Sequence, residues 1–153
     1  MAIISDGNAD QVRTFFAEHV QEPVTVELFT QKRSLLTIPG QQECEYCEET
    51  ESLLNEVVAL SPNLSLAVHD LRADPHAGEA DGITAEMVPS FVLHGQDRGK
   101  IRFLGIPAGY EFSTLIQDIA SVSTGTTSLT PATRDALAQL PGDVHIRVFV
   151  TPT

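Results

Sequence analysis

The sequence predicts an α/β chain built on a mixed four-stranded sheet flanked by helices, with an added helix and strand at its C-terminus. Three observations carry this. β-branched and apolar runs at 24–30, 64–70 and 90–94 alternate with apolar stripes at helical spacing. A strand–helix–strand order in the first half calls for a parallel pair joined by a right-handed crossover. Two later strands facing each other across "GQDRG" (95–99) call for an antiparallel hairpin.

Each element has its own reason. Val12, Phe15, Phe16 and Val20 mark a first helix over 8–20, which Asn8 or Asp10 is placed to cap. Pro23 then separates it from "VTVELFT" (24–30). Leu53, Leu54, Val57 and Val58 form one face of a second helix, expected from about Cys44 to Leu60 and stopped by "SPN". "LSLAVHD" (64–70) is the next strand, and the polar stretch "RADPHAGEADG" (72–82) leaves room for one short helix. "SFVLH" (90–94) and "KIRFLG" (100–105) make the hairpin. Phe112, Leu115, Ile116, Ile119 and Val122 define a long amphipathic helix. Thr130 as N-cap and Pro131 at the first helical position start a short helix to about Leu140, and "VHIRVFV" (144–150) reads as a strand. The expected division is a domain over 1–123 followed by a linker, helix and strand over 124–153.

Composition narrows the function. The 153 residues, 42% hydrophobic, suffice for one domain with its own core. A net charge of −12 argues against nucleic acid and anionic membranes as partners, because phosphate binding needs a basic patch. "MAIISDGNAD" has neither a basic region nor a long apolar stretch, so a cytoplasmic location is the expectation. His19, His69, His76, His94 and His145 are scattered without an H-x3–5-H pattern, so no zinc site is expected from them.

The only two cysteines, Cys44 and Cys47, lie three positions apart in "GQQECEYCEET". A C-x-x-C at the first turn of a helix sets one sulfur over free N–H groups and the positive end of the helix dipole, which lowers its pKa. By position Cys44 is the attacking sulfur and Cys47 the resolving one. Alone the pattern is weak. It gains weight from Val88-Pro89 in "EMVPSFVL", a proline directly before an apolar strand about 40 residues on, where a cis X-Pro bond would set backbone beside the sulfurs. An ordinary trans proline at a strand start is the alternative.

With these residues in view, the chain resembles the thioredoxin/glutaredoxin-fold family. The likeness is to the first unit of the tandem glutaredoxin-like protein disulfide oxidoreductases and to the N-terminal domain of the flavoprotein subunit of alkyl hydroperoxide reductase. Cys44-Glu45-Tyr46-Cys47, Val88-Pro89 and above all "FLGIPAGYEFSTLI" (103–116) carry it, with Gly105, Pro107, Gly109, Tyr110, Glu111 and Phe112 matching a Gly-x-Pro-x-Gly-Tyr/His-Glu-Phe segment. The resemblance implies a thiol–disulfide oxidoreductase acting on protein thiols and disulfides or with a redox-partner reductase. No tightly bound cofactor is then needed, since the dithiol carries the electrons. Tyr46, Val88 and Pro89 would position the partner. In the tandem proteins a strand resembling 144–150 leads into a second C-x-x-C, so the expectation is either a truncated tandem protein or a natural one keeping the first unit and the opening of the second.

Two features depart from that pattern. An insertion, "TQKRSLLTIPGQQE" (30–43), precedes the cysteines and carries Lys32 and Arg33; it is either a flap over the sulfurs or a plain excursion. Glu43, Glu45, Glu48, Glu49 and Glu51 crowd the pair, either as dipole-complementing charges on a solvated face or as groups that make the Cys44 thiol less acidic than its position alone would. Glu27, in the first strand, is a candidate proton-transfer carboxylate if it points to the sulfurs. Glutathione is not favoured as a partner, for want of cationic groups and a glycine pair. The rival reading is a non-catalytic interaction module, dimerising through the 144–150 edge. A metal or iron–sulfur carrier borrowing ligands from a second copy is a third.

Overall fold

The computed structural model describes residues 3–33, 43–96 and 100–149. Helix α1 (Asp6–His19) leads into strand β1 (Val24–Thr30), helix α2 (Cys47–Val58) and strand β2 (Leu64–Asp70). Two 3-10 turns, Glu79–Asp81 and Ala85–Met87, precede strands β3 (Ser90–His94) and β4 (Ile101–Leu104). Helices α3 (Tyr110–Thr124) and α4 (Pro131–Ala138) follow. The sheet order is β2-β1-β3-β4: β1 is parallel to β2 and antiparallel to β3, and β3 is antiparallel to β4. The sheet is therefore mixed, as its sequence order demanded, with the hairpin supplying the antiparallel edge.

Alternation along β1 builds two cores of unequal size. Val24, Val26 and Leu28 face one side, where they pack with Phe16 of α1, Leu53, Leu54 and Val57 of α2, Leu115 and Ile119 of α3, and Phe91 and Leu93 of β3. Helices α1, α2 and α3 thus share one face. The other face is covered in part by the segment after β2, through a small cluster of Phe29, Leu71, Ile83 and Val92. Glu56 of α2 ties down the chain start by accepting bonds from the backbone N–H groups of Ile3 and Ile4 at 2.8–3.0 Å. Those donors hold its carboxyl below the usual carboxylate range.

Several boundaries differ from expectation. α1 starts at Asp6, flanked by Ser5, rather than at Asn8 or Asp10. α2 starts at Cys47 rather than Cys44, because Tyr46 holds a non-helical ψ of 13° and residues 45–46 bend. The short helix expected within 72–82 is a single 3-10 turn, Glu79–Asp81, and a second, Ala85–Met87, follows outside that stretch. α4 has Thr130 as N-cap, its hydroxyl accepting from the Thr133 N–H at 3.2 Å, with Pro131 at the first position. The strand expected over 144–150 is not formed in the described residues 144–149. Its alternation suits a strand, but a strand needs a ladder, and neither sheet edge, β2 or β4, is paired to this stretch.

The "GIPAG" segment owes its glycines to backbone geometry. Gly105 has φ +95° and Gly109 has φ +60° with ψ −124°, directly before α3. An L side chain is strained in either conformation. Replacing Gly109 with alanine should lower unfolding stability by about 1–3 kcal/mol, measured by urea denaturation; an unchanged midpoint would contradict this account.

Candidate functional site

Cys44 and Cys47 are joined by a disulfide, with their Cα atoms 5.6 Å apart. The two sulfurs sit differently. Cys47 opens α2 and is 2% exposed, whereas Cys44 lies before the helix and is partly exposed. The backbone N–H of Gln31, just past the end of β1, donates to the Cys47 sulfur at 3.3 Å. This is a correction to the dipole argument: it is Cys47, not Cys44, that occupies the first helical position.

Cys44 opens on a cleft of about 100 Å³ lined by Gln31, Arg33, Glu43, Glu45, Glu48, Glu49 and Arg72. Glu43 pairs with Arg33 at 3.8 Å, and Arg72 donates to the Lys32 carbonyl at 2.9 Å while its buried Nε has no hydrogen bond. Glu48 and Glu49 stand in the first turn of α2, where they complement the dipole. The surroundings of Cys44 are therefore of mixed sign, because two guanidiniums accompany the acids. Arg72 is not among the residues the sequence singles out; it sits 28 positions from Cys44, and its only signal is that of a lone basic residue following a strand. Residues 34–42 of the insertion, on which the expectation of a flap falls, lie outside the described residues.

Tyr46 is exposed between the cysteines, and its hydroxyl is set against Glu45. Hydrogen bonding to Glu45, with added repulsion from its charge, pushes the phenol pKa up. The Val88–Pro89 bond is cis, and the Pro89 carbonyl accepts from the Gly105 N–H at 2.7 Å, which links this turn to the "GIPAG" segment. Glu27 behaves differently. Its carboxylate oxygens lie 2.8 Å from His69 Nε2 and 2.9 Å from His94 Nε2, so the contacts it makes are to histidines rather than to sulfurs.

Comparison with solved structures places this geometry. Over 90% of its length the chain superposes on a protein disulfide oxidoreductase from Aeropyrum pernix, with a TM-score of 0.70 and 30% identity, covering 56% of that chain. The alkyl hydroperoxide reductase protein AhpF from Enterococcus faecalis gives a TM-score of 0.71 at 24% identity, covering 61% of that chain. The chain has a thioredoxin-like fold. Within that fold the C-x-x-C disulfide stands where β1 hands over to α2. In sequence the chain is similar to AhpF of Staphylococcus aureus, 30% identical over 108 residues, or 69% of this chain. The Staphylococcus epidermidis protein is 29% identical over 107 residues. The thioredoxin-like chain spans 18% of the length of these curated relatives. No protein-family model matches it.

The mixed charges predict opposite effects on the reduced protein. Arg72→Gln should slow alkylation of the Cys44 thiol at neutral pH by about twofold to tenfold, since losing a nearby cation raises a thiol pKa. Glu45→Gln should speed it. Iodoacetamide kinetics against pH would check both, and equal rates in all three proteins would remove the electrostatic account.

Proposed function

We propose that the chain is a thiol–disulfide oxidoreductase that exchanges electrons with protein dithiols and disulfides through Cys44 and Cys47. The observation that carries this is the asymmetric pair: a partly exposed Cys44 bonded to a buried Cys47, on a thioredoxin-like fold. Exposure suits the sulfur that meets a partner, and burial suits the one that waits.

In the reduced protein, the Cys44 thiolate attacks one sulfur of the partner disulfide. That bond breaks, its other sulfur leaves as a thiolate and takes a proton, and a mixed disulfide forms. Cys47 then loses its proton and attacks the Cys44 sulfur, closing the Cys44–Cys47 bond and releasing the second partner thiol. Two electrons have passed to the partner; the same steps reversed oxidise it. The Gln31 N–H stabilises the Cys47 sulfur as its charge develops. Tyr46, Val88 and Pro89 are proposed as the surface on which the partner lies. The S. aureus and S. epidermidis relatives bear the name of a reductase, which supports a redox-partner reductase beside protein dithiols as the partner class. A reducing cytoplasm is the compartment proposed, and no helix among the described residues is long and apolar enough to cross a membrane.

The test uses a model protein disulfide with a thiol reductant. Cys44→Ser should lose turnover by about a hundredfold or more, since the chain holds no third cysteine. Cys47→Ser should accumulate the mixed disulfide on non-reducing gels. Full turnover by Cys44→Ser would refute the proposal.

A second reading, association of two chains, is favoured by one observation. Val144, Ile146, Val148 and Phe149 are 60–88% exposed in a stretch with strand-like alternation. Sedimentation should give twice the 16.6 kDa chain mass, and Ile146→Asp with Val148→Asp should return it to one. A monomer in the unmodified protein would end this reading and leave the thiol chemistry standing.

A further inference from the structure

The face of the sheet turned away from the helices holds a group of side chains that the thiol chemistry does not use. Thr25 lies opposite His94 and Phe29 opposite His69, so Glu27, between them on β1, has a histidine diagonal to it on each neighbouring strand and on the same face. Both imidazoles turn their Nε2 atoms to its carboxylate, at 2.8 Å and 2.9 Å. Asp81, in the first 3-10 turn, brings a buried carboxylate over the same spot, and ligand atoms of Glu27, Asp81 and His94 all lie within 4.8 Å of one another.

The arrangement is held from outside. Phe29 stacks on His69 with ring centroids 5.2 Å apart, fixing that imidazole. Lys100 bonds Asp81 Oδ1 at 2.7 Å, and Arg102 bonds its carbonyl at 2.5 Å, which pins the turn to β4. His69 Nε2 is buried and, although 2.8 Å from Glu27 Oε1, lies off the line of a hydrogen bond. It therefore has no hydrogen bond to lose if it takes a different partner.

We propose that His94, Glu27 and Asp81 form a binding site for a divalent transition-metal ion of the zinc class, with His69 beside Glu27 as an outer partner. An imidazole nitrogen and two carboxylates are donors such an ion accepts, and three protein ligands leave its fourth position to solvent. Magnesium and calcium, which take oxygen ligands, are disfavoured by the imidazole. The ligand set brings two negative charges in a chain of net charge −12, so the field around it attracts a cation despite Lys100 and Arg102. The site is distinct from the cysteine pair, which contributes no ligand to it.

Zinc ion alone is the probe, titrated calorimetrically into the disulfide form of the protein, where the sulfurs are not free to compete. One zinc per chain should bind and raise the melting temperature. His69→Asn with His94→Asn should weaken binding by more than about a hundredfold, the upper end of what outer-sphere partners cost. His94→Asn alone, at a side chain 40% exposed, serves if the double variant does not fold. His76→Asn, at the separate exposed His76–Glu79 pair, should leave binding unchanged. Absence of binding in the parent protein, equal binding by the folded histidine variants, or loss on His76→Asn would each overturn the site.

Discussion

Everything in this molecule hangs from β1 being hydrogen-bonded along both edges. One edge is parallel to β2 and the other antiparallel to β3, so its seven residues cannot slip without breaking two ladders at once. That rigidity is used in three places. Even-numbered side chains anchor the helical core, Glu27 is held between two histidines, and the strand's exit delivers the Gln31 N–H to the Cys47 sulfur. A reactive pair gains from such a mount, because exchange chemistry depends on where the sulfurs are aimed.

Much of this was legible in the sequence. β1, β2 and β3 begin and end where their β-branched runs do, since Pro23, the "SPN" stop and Pro89 leave little freedom at those edges. The cysteine pair and "GIPAG" were visible as spacing. The start of α2 was not, because it depends on the Tyr46 dihedrals next to a closed Cys44–Cys47 ring rather than on any apolar period. The tail failed for a related reason: "VHIRVFV" has the alternation of a strand, but alternation states which side chains share a face and not whether an edge is available.

The histidines show the limit of spacing rules most clearly. A search for metal ligands along one segment passes over His69 and His94, which lie 42 and 67 positions from Glu27. Only strand register brings them onto one carboxylate. Arg72 is a similar case, entering the Cys44 cleft from the end of β2, and it alters the charge balance that the glutamates alone suggested.

The bond from Gln31 to the Cys47 sulfur is made by main chain, and this bears on how the protein can evolve. No exchange of one ordinary side chain for another at position 31 removes that donor; only proline does. The environment of the inner sulfur is thus inherited from the path of the backbone, while the rim around the outer sulfur is made of replaceable side chains. Drift in sequence should therefore retune partner choice and reactivity at Cys44 long before it disturbs Cys47.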